Sequence, residues 1–141
     1  MEIQQLKDIY SQYVADVAKV YKDAKPMDGL FGWGDDPRKD PCHMRFYEDV
    51  ESWIGSFAAQ NPDRAQVYEV VRFLVETPAQ YREKHCFWFM YAAHGLLPDL
   101  IGYLDRAQCL QLREFYDEAY PNRDRMPVQK NVYKLLKKGA K

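Results

Sequence analysis

Between Lys84 and Asp99 the chain carries no charged side chain, and the eight residues from Cys86 to Ala93 (CFWFMYAA) are apolar at every position. A helix that is apolar all round belongs in a core, whereas one apolar along a stripe lies at a surface. The pattern therefore predicts a central buried helix over about 78–95, with the other helices laid around it. At the start of the chain, Ile3, Leu6, Tyr10, Tyr13, Val17, Val20 and Ala24 recur at intervals of three and four. That seam predicts a helix over 2–24 that packs on one antiparallel neighbour in a bundle, with a dimer seam as the alternative.

Helix starts are written as capping residues followed by proline: Asp40-Pro41, Asn61-Pro62 and Thr77-Pro78. A short polar side chain satisfies orphan N–H groups of the first turn, and proline has no N–H to leave unpaired there. Thr77 with Gln80 and Asp105 with Gln108 have capping-box spacing. Together these signals predict helices over 41–60, 62–76, 78–95 and 106–119, a short helical turn over 98–104 and a last helix over 128–138. The second helix carries a bulky stripe (Phe46, Tyr47, Val50, Trp53, Ile54, Phe57) and a stripe of small residues (Ser52, Gly55, Ser56, Ala59). Two stripes imply two packed neighbours, with Gly55 tolerated where one approaches closely.

Residues 25–40 read differently. Three glycines, two prolines and four aspartates exclude a helix, while Leu30, Phe31 and Trp33 need an apolar surface to pack on. A connection this long is usually functional. The expectation is an ordered aromatic loop that plugs one end of the bundle, with a lid over a pocket as the alternative. It lacks the Asp and Glu spacing of a calcium loop. The helix-starting prolines at 41, 62, 78 and 98 are unevenly spaced, so a solenoid of repeats is not expected. The phrase AAHGLLPDLIGYLD (92–105) resembles the helix–turn–helix junction of HEAT-type solenoid repeats, but it covers too little of the chain to assign a family.

The expected fold is thus all-α: one domain, an orthogonal or up-down bundle of five to six helices over 1–141. It divides into a first helix (1–24), the loop (25–40), a helical core (41–119) and a basic C-terminal turn and helix (120–141). The composition, 47% hydrophobic and 29% charged, is that of an ordinary globular chain. The apolar centre is too short to cross a bilayer, so no membrane partner is expected. Three cysteines without a CxxC, and no basic or apolar leader in MEIQQLKDIY, suit a reducing cytoplasm.

Charge changes the picture more than composition does. The overall charge is −1, yet residues 120–141 hold seven bases and one acid, leaving thirteen bases and twenty acids in residues 1–119. An acidic body with a basic tail has a plain reading, in which the last helix docks Val128, Val132, Leu135 and Leu136 on the bundle and its lysines on the other side form a solvated face. The alternative is recruitment of an acidic protein partner through Arg123, Arg125 and Lys130, with Phe31 and Trp33 as a second patch. Nucleic acid is a weaker expectation, because the acidic body would repel phosphates.

Other candidate chemistry is sparse. Cys42-His43 and His85-Cys86 supply two thiols and two imidazoles, the donor set of a tetrahedral zinc site. Adjacent helical side chains diverge by about 100°, so each dipeptide chelates poorly. His94 beside Asp99 is a pocket candidate for a general base or ligand, against the simpler reading of a histidine near a helix end. No nucleophile elbow, zinc-protease helix, P-loop or dinucleotide fingerprint is present. The expectation is a small helical interaction or regulatory module without a cofactor. The alternative is a small enzyme or metal-binding protein using His43, His85, His94 and a cysteine. Oligomeric state is left open.

Overall fold

The computed structural model describes residues 2–20, 41–80 and 97–141. Among these residues the secondary structure is all helical: α1 (Ile3–Val20), α2 (Pro41–Ala59), α3 (Arg64–Gln80), α4 (Leu97–Ile101), α5 (Arg106–Ala119), a 3-10 turn (Arg123–Arg125) and α6 (Pro127–Gly139). The central helix expected over about 78–95 and the aromatic loop over 25–40 lie outside the described residues, apart from the start of the former.

Capping explains the best-defined boundary. The Asp105 carboxylate accepts from Gln108 N at 2.8 Å, and Gln108 Oε1 accepts from Asp105 N at 3.0 Å. This reciprocal box starts α5 one residue later, at the position expected from the sequence. The start of α3 is a correction. Asn61 does not cap it; Asp63 does, in a second box with Gln66 at 2.8 and 2.9 Å. Asn61 instead has φ of 50°, a left-handed conformation that asparagine tolerates, and it ends the preceding helix.

The Thr77-Pro78 signal is corrected as well. α3 runs through both residues to Gln80, so Pro78 is inside the helix and Thr77 is not its cap. Proline in a helix interior removes one backbone hydrogen bond. Here both side chains are buried, in line with the buried Val67, Val70, Val71, Leu74 and Val75. Burial of that stripe outweighs the local breaking signal.

Packing follows the apolar seams. Tyr13 stacks on Phe46 with ring centroids 4.3 Å apart, Tyr10 meets the same ring edge-on at 5.0 Å, and Trp53 Nε1 donates to Gln5 Oε1 at 3.3 Å. The end of α1 thus meets the start of α2, so the seam is an antiparallel intrachain neighbour. Arg45 pairs with Asp16 across the same end. Tyr10 also meets Phe73 at 4.9 Å, joining α1 to α3.

α3 and α5 run parallel, linked by Tyr68 OH to Gln111 Oε1 (2.6 Å) and, about two turns further along both, by Tyr120 OH to Val75 O (2.5 Å). α6 returns antiparallel to α5. Leu6, Val50, Val71, Leu74, Leu97, Tyr116, Val132 and Leu136 are fully enclosed in one continuous core cluster. Each aliphatic side chain so enclosed stabilises by about 1.5–3 kcal/mol relative to exposure.

The small-residue stripe of α2 is a further correction. Ser52, Gly55, Ser56 and Ala59 are exposed, and nothing among the described residues lies within 4 Å of a Cβ placed on Gly55. Five bulky positions (Phe46, Val50, Trp53, Ile54, Phe57) already bury that helix, whereas Tyr47 stays 45% exposed.

Candidate functional site

α6 begins where the 3-10 turn stops. Met126 N bonds to Arg123 O at 3.1 Å, and Pro127 occupies the first helical position. From there the helix divides into two faces. Gln129, Val132 and Leu136 are buried against the bundle, with Ala140 just beyond the helix end. Lys130, Lys134, Lys137 and Lys138 are exposed. At 100° per residue these lysines span a sector of about 100°, centred roughly 160° from the buried set.

Exposed Arg125 and Lys141 extend the basic surface at either end. Among the described residues, no carboxylate forms an ion pair with any of these six cations. Lys137 and Lys138 lie in the last turn, where the helix dipole favours cations. Lys130 lies in the first turn, where the same dipole opposes it by about 0.3–1 kcal/mol. Fold stability therefore does not account for Lys130.

Arg123 has a different setting from the two other predicted basic residues. Its guanidinium stacks over the Tyr133 ring at 4.0 Å, donates to Tyr120 O at 3.2 Å and contacts Asp117 at 3.2 Å. Tyr133 OH donates to the same Asp117 oxygen at 2.6 Å. This clasp closes the seam between α5 and α6 around the 3-10 turn. Arg123 is thus partly structural, while Arg125 and Lys130 face solvent.

Three further groups border that clasp. Lys137 Nζ lies 5.9 Å from the Tyr133 ring centre. Arg113, one turn before Asp117 on α5, is half-buried; its Nε and the Nε of Arg123 are buried without a hydrogen-bond acceptor among the described residues. The Tyr133 phenol is held above its ordinary pKa, first by its hydrogen bond to Asp117 and then by burial. Arg123 and Arg113 act in the opposite direction, so both cationic charges reach the phenol.

The other predicted residues divide by position. Asp99 is exposed on α4, and Cys42 and His43 fall in the first turn of α2. His85, Cys86, His94, Phe31 and Trp33 lie outside the described residues, and with them the zinc donor set and the His94–Asp99 pair. Among the described residues, no three His, Cys, Asp or Glu side chains cluster as metal ligands. No helix among them is long and apolar enough to cross a membrane.

Cys109 is buried on α5, and burial raises its thiol pKa, with the Asp105 charge adding to the shift. A neutral thiol packed in this way serves as a small apolar group. Reasoning from the sequence missed Arg113 and Tyr133, and it placed the lysines of the last helix on one side without choosing Lys134 and Lys137 as site residues. The four-and-three spacing of Lys130, Lys134 and Lys137 was the available signal, since it confines them to one helix face.

No family model, curated protein or solved structure matches this chain.

Proposed function

We propose that this protein is an interaction module that binds an acidic segment of a partner protein along the outer face of α6. The observation that supports this most is the row of exposed cations from Arg125 through Lys130, Lys134, Lys137 and Lys138, which is without ion pairs among the described residues. The row extends along most of the helix, about 15 Å at 1.5 Å rise per residue. Such a surface steers an oppositely charged segment and fixes its register more than it adds raw affinity. A buried apolar face opposite means that the helix is already docked, so binding needs no refolding of α6.

The test is fluorescence anisotropy of a labelled acidic peptide, rich in Glu and Asp, against wild type and Lys130→Glu/Lys134→Glu. The expected result is saturable binding to wild type that weakens with salt and drops at least tenfold in the variant. Equal binding by the two proteins, or none by either, would overturn the reading. A single-stranded oligonucleotide binding more tightly than the peptide would replace the protein partner with a nucleic acid.

A further inference from the structure

The seam between α5 and α6 gathers more positive charge than it neutralises. Arg123 and Lys137 flank the Tyr133 ring at 4.0 and 5.9 Å, and Arg113 lies one turn from Asp117. Among the described residues, the carboxylate paired with these cations is that of Asp117, which is 41% exposed and meets Arg123 through a single 3.2 Å contact. Arginine holds carboxylate and phosphate best through two parallel N–H bonds, and Arg123 lacks that arrangement here. Both guanidinium Nε groups are left without an acceptor among the described residues. An unpaired buried donor costs free energy that a suitable acceptor recovers.

We infer that Arg113, Arg123 and Lys137 form a seat for a phosphoryl-type dianion at the seam between α5 and α6. A dianion balances the charge of three cations and one carboxylate, which a monoanion does not. A phosphoryl group carries about −1.5 to −2 at neutral pH and offers three acceptor oxygens. Tyr133 lies on the border between the buried and basic faces of α6, and Lys137 belongs to the lysine row as well. The seat therefore deepens the acidic-segment reading, and as a partner site it rests on that reading. A phosphorylated side chain in the segment would enter the seam while flanking acids follow the lysines. Free phosphate has the same chemistry and is the other possible source.

The seat is tested by following the melting temperature while inorganic phosphate replaces chloride at constant ionic strength. Wild type should show a curved rise that follows the logarithm of phosphate concentration and reaches about 5 °C at ten times the dissociation constant. Arg113→Gln should abolish the logarithmic part. Asp117→Asn removes the internal competitor and should tighten phosphate binding about tenfold, although it weakens the clasp. A rise that is linear and equal in wild type and Arg113→Gln is the general salting effect and would overturn the seat. A wild-type response that Asp117→Asn does not tighten would do the same.

The source is separated by comparing a phosphoserine-containing acidic peptide with its Ser→Glu counterpart. At least tenfold tighter binding of the phosphopeptide than of both the counterpart and free phosphate assigns the seat to the partner segment. Equal affinity for phosphopeptide and free phosphate assigns it to the small ion. Saturable phosphate binding with no peptide binding at all keeps the seat and refutes the interaction module.

Discussion

The α1–α2 pair and the α5–α6 pair solve the same packing problem with opposite exteriors. Each is antiparallel, and each packs an aromatic row: buried Tyr10, Tyr13 and Phe46 in the first, buried Tyr116 and Tyr120 with half-buried Tyr133 in the second. Outside, the described parts of α1 and α2 with Glu2 hold six acids and three bases, whereas residues 106–141 hold nine bases and four acids. The first pair joins its ends with the Arg45–Asp16 ion pair and leaves the small residues of α2 exposed. The second surrounds one carboxylate with several cations and leaves lysines over. Interior packing thus leaves the exterior charge free, and the exterior of α6 is where that freedom has been used most unevenly.

The comparison can be broken at its cores first. Phe46→Ala should cost about 3–5 kcal/mol and Leu136→Ala about 2–5 kcal/mol in urea unfolding, since each empties a fully packed position. If one loss is large and the other under 1 kcal/mol, the two pairs do not carry comparable shares of the core.

Next in size is the alkaline limit. Burial, with a smaller push from Tyr120, raises the pKa of Tyr10 far above its ordinary value, and the same causes raise that of Tyr116, where Arg123 opposes them. A group whose folded pKa is raised contributes stability that is complete below the unfolded value, about 10, and is lost as pH climbs towards the folded value. Unfolding free energy should therefore be level from pH 7 to 9 and fall above about 10, by up to about 1.4 kcal/mol per pH unit for each tyrosine, with melting temperature following it. Tyr10→Phe and Tyr116→Phe should each make that fall shallower. A slope unchanged in both variants would remove these phenols as its cause.

Smaller effects separate the two seams. Tyr120→Phe leaves Val75 O without its 2.5 Å donor and should cost about 1–2 kcal/mol. At Gly139 a Cβ would stand 2.5 Å from Cys109 Sγ and 3.2 Å from Cys109 Cβ, so the end of α6 approaches α5 too closely for any larger residue. Gly139→Ala should destabilise by about 1 kcal/mol despite alanine's better helix propensity, and Cys109→Ala in the same chain should return part of the loss. Tolerance of Gly139→Ala with no change in melting temperature would show that the two helices separate easily.

How far the sequence disclosed this arrangement varies along the chain for physical reasons. The seam of α1 from Leu6 to Tyr13, the bulky stripe of α2 without Tyr47 and the Asp105 box rest on local periodicity and local hydrogen bonds, and each is found where the spacing puts it. Thr77-Pro78 and Asn61-Pro62 misled because each is compatible with more than one role. A proline stays inside a helix when its neighbours bury a long apolar stripe, and an asparagine ends a helix as readily as it starts one.

The small residues of α2 resemble a packing face by composition, but composition does not say whether a neighbour arrives. At the candidate site, net charge pointed to residues 120–141 without separating Arg123 from Arg125 and Lys130. That distinction depends on Asp117 and Tyr133, which are distant in sequence from the tail's own turn or lie across the helix seam.

The account rests most directly on the claim that the lysine face of α6 takes no part in holding the fold. Denaturant unfolding of Lys130→Glu/Lys134→Glu tests this without any partner. The account predicts stability within about 0.5 kcal/mol of wild type, because exposed unpaired cations contribute little to folding. A loss of about 2 kcal/mol or more would contradict it and return those lysines to the structure.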